Sequence, residues 1–228
     1  SSDLLQPQCM ISGRLGNDYV DFSVMADNEY PDYQIGVPWQ TAASMFDETW
    51  GYRSWQERGE VQPKVREKIE SLIKVISRGG NFLLNIGPKG DGSVVEFEQQ
   101  VLLHISDWVK ANSEAIYGAR ANPFHQTFAW GDITTKEDRL FAFVENIPDL
   151  GKIELSGFNG KVKGVTQLAS GDKLPYNQNK GELEIDLSTV SSGEDLPVLK
   201  ITLENGYGII PSSVVSNGIL TSWNATSL

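Results

Sequence analysis

Histidine, cysteine and basic residues are scarce in this chain of 228 residues, and each scarcity excludes a class of chemistry. Cys9 is the only cysteine, so the chain has neither an intramolecular disulfide nor a thiolate metal cage. With two histidines, a catalytic zinc or iron site and a Ser-His-Asp triad are both disfavoured. We therefore expect no metal and no cofactor, and we expect carboxylates to carry any chemistry.

Acidic residues outnumber basic residues by 30 to 19, which gives a net charge of −11. This balance argues against nucleic acid and anionic membranes as partners, because both select for basic surfaces. No apolar run approaches the roughly 18 residues that cross a bilayer. The first residues lack the basic start and the apolar stretch of a signal peptide. A neutral ligand such as a sugar fits this composition better than an anionic one.

Short apolar runs alternate with amphipathic segments before about residue 120. Residues 9–14, 39–45 and 81–87 predict parallel strands, the first and third of them buried. Apolar side chains recur at helical spacing over 65–76 and again over 97–109, which predicts two helices. This alternation is typical of a βα-repeat fold. Three strands are too few for a (β/α)₈ barrel of about 250 residues, so we expect the last strands and helices of a larger barrel.

The second half of the chain has a different pattern, with apolar residues at every second position. Apolar and polar residues alternate over 182–187 and 199–203, and phenylalanines alternate with aliphatic residues over 140–144. Turn-forming residues lie between such runs, for example over 177–181. Short alternating strands separated by turns predict an antiparallel β-sandwich.

These patterns predict an α/β chain in which a partial (β/α)₈-like barrel is followed by an antiparallel β-sandwich domain. We expect residues 1–120 to form the C-terminal portion of the barrel and residues 121–228 to form the sandwich.

Carboxylates and aromatic side chains are concentrated in the polar loop that follows the first predicted strand, over residues 14–52. In βα-barrels the loops at the carboxyl ends of the strands build the active site. Carboxylates there can serve as acid, base or nucleophile, and aromatic rings can cover the apolar faces of a sugar. The alternative is an ordinary solvated surface loop.

Several segments between residues 5 and 118 resemble, in order, the α-L-fucosidases of glycoside hydrolase family 29. The most specific is GGNFLLNIGPKGDG at residues 79–92, and TWGY at 49–52 and EAIYG at 114–118 support it. The remaining segments are SGRLG at 12–16, DF at 21–22, DNE at 27–29 and PWQT at 38–41. The resemblance implies a catalytic barrel followed by a β-sandwich.

The family removes terminal α-L-fucose with retention of configuration, through two carboxylates. The resemblance implies that Glu29 is the acid/base, with Asp27 and Asp32 as alternatives because this position varies between branches of the family. The nucleophile is an Asp in a Trp-rich motif on an earlier barrel strand, and no such motif precedes Cys9. The resemblance therefore implies that the nucleophile lies on an upstream segment absent from this chain, which alone is expected to be incomplete and inactive.

Three further positions acquire expected roles from the resemblance. Arg14 is expected to contact fucose hydroxyls, with an ion pair to Asp18 or Asp21 as the alternative. Trp50 is expected to pack on the fucose methyl group and ring face, with a core position as the alternative. Gln40 stands where many relatives carry Glu after Trp. If that Glu were the catalytic acid, this chain would be a disabled variant.

The expected function is hydrolysis of terminal α-L-fucose from a fucosylated glycan, by an enzyme whose barrel is completed by its N-terminal part. The alternative is a carbohydrate-binding or interaction module in which the sandwich is the working part and the barrel portion is non-catalytic. A secreted or periplasmic location is implied by the resemblance alone.

Overall fold

In a computed structural model of the chain, parallel strands and helices are followed by antiparallel sheets. The structure describes residues 6–16, 19–124, 126–179, 181–190, 196–210, 213–216 and 219–222. The contacts within the chain divide it into two compact units, Ser1–Trp108 and Val109–Leu228. No helix within these described ranges is both long and apolar enough to span a membrane.

The first unit contains a sheet of three parallel strands: β1 (Ser23–Val24), β2 (Trp39–Ser44) and β3 (Gly80–Asn85), in that order. Helix α1 (Val61–Ser77) connects β2 to β3, and helix α2 (Glu96–Ala111) follows β3. Both predicted helices are therefore confirmed, as is the strand predicted at 39–45. The parallel order brings the loops after all three strands to one edge of the sheet, here called the carboxyl edge.

The two faces of this sheet differ in burial. Trp39, Thr41 and Ala43 of β2 are buried, and the indole Nε1–H of Trp39 donates to the Arg78 carbonyl just after α1, at 3.2 Å. This is the face toward α1, which packs against β3. On the opposite face, Leu83 is 46% exposed. The strand predicted at 81–87 is confirmed over Gly80–Asn85, but the expectation that it is buried is wrong, because β3 is covered on one face only.

The run at residues 9–14 is not the predicted buried strand. Met10 is 72% exposed, and the run joins the sheet through a single parallel bridge between Ser12 and Phe22. The Asp21 side chain accepts the Ile11 N–H at 2.6 Å, so a carboxylate replaces the next rung of the ladder. A 3₁₀ turn over Gly13–Leu15 then ends the pairing. Strand β1 instead lies within the predicted polar loop.

The second unit contains two antiparallel sheets and a hairpin. Their strands are β4 (Gly131–Lys136), β5 (Arg139–Val144), β6 (Lys152–Ser156), β7 (Val162–Gln167), β8 (Tyr176–Asn179), β9 (Glu182–Asp186), β10 (Val198–Leu203), β11 (Ser213–Ser216) and β12 (Ile219–Ser222). The orders are β4-β5-β10-β7 and β6-β9-β8, with β11 paired to β12. Apolar residues of the two larger sheets form one common core, the arrangement of a β-sandwich.

The alternating runs predicted as strands correspond to β5, β9 and β10. The turn predicted over 177–181 begins later than expected, because β8 continues to Asn179, which pairs directly with Glu182 of β9. Residues just before β4 are tied to the second unit: the buried Thr134 hydroxyl donates to the Ala115 carbonyl at 2.8 Å, and Arg120 bridges Thr135. The domain boundary at residue 120 stays a prediction; the contacts divide the chain after Trp108.

Candidate active site

Arg14 and Asp27 form an ion pair between the turn at Gly13–Leu15 and the loop after β1. Their side chains are 54% and 46% exposed. Asp21 is engaged instead by the Ile11 N–H, and Asp18 lies outside the described residues. Arg14 is therefore in an ion pair, which was the alternative expectation for this residue. The observed partner is Asp27, which the sequence did not indicate. The pair balances the charge of the Arg14 guanidinium with a carboxylate of the loop after β1.

Hydrogen bonds of Asn28 and Glu29 hold the backbone around Glu29 against β2. The Asn28 N–H donates to the Ala42 carbonyl at 2.9 Å, and the Asn28 Oδ1 accepts the Ser44 N–H at 2.7 Å. The Thr41 hydroxyl donates to the Glu29 carbonyl at 2.5 Å. The side chain of Glu29 itself is exposed. A fixed main chain therefore presents a solvent-accessible carboxyl group.

The aromatic residues near Glu29 in the sequence lie in different environments. Trp39 is fully buried on the α1 face, whereas Tyr33 is 71% exposed. The guanidinium of Arg78 lies over the Tyr30 ring, 6.0 Å from its centroid. These contacts account for two of the rings, those of Trp39 and Tyr30, through Arg78, the residue that follows α1.

Trp50 lies in the loop after β2, and its position is set by the loop after β3. The Asn85 Nδ2 donates to the Trp50 carbonyl at 2.8 Å. A Cβ atom on Gly87 would lie 2.8 Å from the carbonyl carbon of Gly51, so the two loops meet main chain to main chain. The buried Glu98 carboxylate accepts the Gly87 N–H at 3.1 Å and holds that loop against α2. Trp50 remains 38% exposed, so it is not a core residue.

Gln40 and Asp32 have different settings, and Gln40 lies near the amino end of its strand. Gln40 lies on β2 beside Asn81 of β3, and it is half-buried. Asp32 is exposed in the loop after β1. Within the described ranges, no group of three or more His, Cys, Asp or Glu side chains is arranged to hold a metal ion.

An α-L-fucosidase family model matches residues 2–114, the segment that contains the parallel sheet and the residues just described. The chain belongs to the α-L-fucosidase family. The resemblance inferred from the motifs is thereby confirmed.

Curated relatives in the family are similar over more than this segment. The rat tissue α-L-fucosidase is 34% identical over 157 residues, which are 67% of this chain and 31% of the relative. The α-L-fucosidase of Dictyostelium discoideum is 28% identical over 203 residues, or 82% of this chain and 43% of the relative. The chain therefore spans about a third to two fifths of these relatives' length.

Solved family structures share the fold of both units. An α-L-fucosidase from Vibrio sp. strain EJY3 has a TM-score of 0.84 at 25% identity, over 93% of this chain and 39% of that one. Isoenzyme 1 from Paenibacillus thiaminolyticus has a TM-score of 0.77 at 26% identity, over 89% of this chain and 52% of that one.

Proposed function

We propose that this chain supplies the later part of the catalytic barrel of an α-L-fucosidase that removes terminal fucose from glycans. The family match covers the segment with the parallel sheet. The observation that carries the proposal is the composition of the carboxyl edge. Three side chains follow a strand or a bridge of one parallel sheet: the ion-paired Arg14, the exposed Glu29 and the half-exposed Trp50.

The proposal includes a partial (β/α)₈ barrel. The face of the sheet that α1 does not cover includes Leu83 at 46% exposure, with Asn81 also exposed. In a closed barrel this face would be the interior, filled by side chains from the other strands. Covering an apolar side chain such as Leu83 with these strands would stabilise the fold, because burial of apolar surface contributes about 25 cal/mol per Å².

In the proposed reaction Glu29 is the acid/base. It protonates the departing glycosidic oxygen, and after the first displacement it removes a proton from water. The nucleophile is an Asp of barrel polypeptide outside this chain, about 5–5.5 Å from the acid/base as retaining enzymes require. Asp27 is the weaker candidate for the acid because its carboxylate already accepts from Arg14. Asp32 remains the alternative.

The neighbouring groups bind the sugar in this proposal. Arg14 donates hydrogen bonds to fucose hydroxyls, and Asp27 holds its guanidinium in place. The Trp50 ring packs on the fucose methyl group and ring face, a contact that suits an aromatic side chain held by its main chain. Since the substrate is a glycan, we also propose a location outside the cytoplasm, secreted or periplasmic.

The test compares the chain alone with a barrel-completed enzyme, meaning this chain joined to a family segment that provides the earlier strands. We expect hydrolysis of an aryl α-L-fucoside only by the barrel-completed enzyme, with the α-anomer of fucose as the first product by NMR. Turnover by the chain alone would overturn the external nucleophile. Fucose binding without hydrolysis by the barrel-completed enzyme would favour a binding module instead.

A further inference from the structure

We propose that Asn28 and Thr41 are positioning residues that fix the Glu29 carboxyl group for proton transfer. This inference rests on the proposed function, in which Glu29 is the acid/base. Neither residue touches the reacting atoms in the proposal. Each acts through the main chain: Asn28 anchors the residue before Glu29 to β2, and Thr41 binds the Glu29 carbonyl.

Asn28 is the last residue of the segment 23–28, which runs beside β2. Main-chain hydrogen bonds run from Ser23 N–H to the Pro38 carbonyl and from Met25 N–H to the Gln40 carbonyl, both at 2.9 Å. The Asn28 N–H then makes the last of these contacts, to Ala42. Its φ of 59° turns the chain away from β2 at that point. Asn tolerates this left-handed conformation better than most residues do.

The side chain of Asn28 ties this turn to the end of β2. Its Oδ1 accepts the Ser44 N–H at 2.7 Å, and Ser44 is fully buried at the end of β2. The amide therefore supplies the acceptor that a continuing strand would have offered to this N–H. A glycine at residue 28 would keep the backbone conformation but leave the Ser44 N–H without this acceptor, which separates the two contributions.

Thr41 holds the other side of Glu29. Its side chain is fully buried, and its hydroxyl reaches the Glu29 carbonyl at 2.5 Å. The Glu29 N–H donates to the Ala26 carbonyl at 3.1 Å, so both main-chain polar groups of Glu29 have partners. Only the side-chain torsions of Glu29 then remain free. A general acid must lie within hydrogen-bond reach of its target, and a misplacement of about 1 Å can cost about 100-fold in rate.

The test measures kcat/KM of the barrel-completed enzyme with two aryl α-L-fucosides. The phenyl fucoside needs protonation of its leaving group, and the dinitrophenyl fucoside does not. We expect Asn28→Gly and Thr41→Val to lower kcat/KM about 10- to 100-fold for the phenyl fucoside, with less than about a threefold change for the dinitrophenyl fucoside. Asn28→Asp and Thr41→Ser keep the oxygen atoms and should restore most of the activity.

The matched control is Thr134→Val in the second unit. Thr134 is also buried, and its hydroxyl also donates to a main-chain carbonyl, that of Ala115 at 2.8 Å. Its loss should lower the stability without changing the ratio of the two substrates' rates. An equal loss on both substrates for the Asn28 and Thr41 variants, or no loss, would overturn the positioning role.

Glu29→Ala, assayed in parallel, tests the acid/base assignment of Glu29 separately from the positioning role of Asn28 and Thr41. If Glu29→Ala discriminates between the leaving groups and the Asn28 and Thr41 variants do not, only the positioning role is wrong. If Glu29→Ala itself does not discriminate, the acid/base assignment is wrong and the positioning role falls with it.

Discussion

Replacing Gly80 by Ala tests the packing that fixes the sheet of the first unit. A Cβ atom at this position would lie 2.4 Å from Cζ2 of Trp39 and 2.6 Å from Cε2 and Cη2. Carbon atoms in ordinary contact are about 3.5–4.0 Å apart. The Trp39 ring would therefore have to move by about 1 Å, although it is fully buried and its Nε1–H is bound to the Arg78 carbonyl.

The expected cost follows from these contacts. Overpacking a well-filled core costs about 1–3 kcal/mol, and loss of the indole hydrogen bond would add about 1 kcal/mol. Gly80 does not have a positive φ, so Ala gains about 0.4–1 kcal/mol by restricting the unfolded chain. We expect Gly80→Ala to lower the free energy of unfolding by about 2–3 kcal/mol, measured by urea denaturation with tryptophan fluorescence and circular dichroism.

Two further variants test whether the overlap with Trp39 causes the loss of stability. Gly90→Ala is the matched control, because no heavy atom lies within 4 Å of its Cβ position and its φ is not positive. It should change stability by less than about 1 kcal/mol. Combining Gly80→Ala with Trp39→Phe should cost less than the sum of the two single changes, since the smaller ring removes the overlap. A Gly80→Ala chain as stable as the original would refute the packing described here.

The remaining predictions concern two glutamates. Glu29→Gln should lower kcat/KM of the barrel-completed enzyme for the phenyl fucoside by about 10²–10⁴-fold, the usual range for a general acid, whereas Asp32→Asn should change it little. Burial raises the pKa of the Glu67 carboxyl, but hydrogen bonds from Lys64 and Lys68 outweigh burial and hold the pKa below its ordinary 4.5. Glu67 therefore stabilises the fold above about pH 4.5, and this stabilisation is lost as the pH falls through the lowered pKa. Because Glu67 is 44% exposed, Glu67→Gln should cost less than about 1 kcal/mol at pH 7 and progressively less toward pH 3, by urea denaturation at each pH.

Each of these expectations has a contrary outcome. A larger loss of phenyl fucoside hydrolysis in Asp32→Asn than in Glu29→Gln would move the acid/base to Asp32. A cost of Glu67→Gln that grows as the pH falls would show that burial dominates the Glu67 pKa, contrary to the contacts with Lys64 and Lys68.

Features of the fold set by local periodicity were predictable from the sequence. Val65, Ile69 and Ile73 recur at helical spacing and are buried in α1, because one face of a helix meets the sheet. The strands β9 and β10 likewise follow from alternation, since their inward side chains lie in the core, whereas β5 is an apolar run that is buried on both faces. In these elements the sequence neighbours of a residue determine its environment.

Features set by side chains from distant segments were not predictable in this way. Residues 9–14 have the composition of a buried strand, but the Asp21 carboxylate takes the place of a strand partner. The contact of Asn28 with Ser44 joins residues sixteen positions apart, and that of Thr41 with Glu29 joins residues twelve apart. No local pattern marks such pairs. An Asn before an acidic residue signals a turn, but it does not indicate which N–H its side chain accepts.

The central claim is that this chain supplies the acid/base of a retaining fucosidase and other polypeptide supplies the nucleophile. The most direct measurement treats the barrel-completed Glu29→Gln enzyme with a fluorinated fucosyl fluoride, which forms the glycosyl-enzyme but slows its hydrolysis, and maps the labelled peptide by mass spectrometry. We predict one label, on an Asp of the completing segment, and none on any peptide of this chain. A label on an Asp or Glu of this chain would contradict the account.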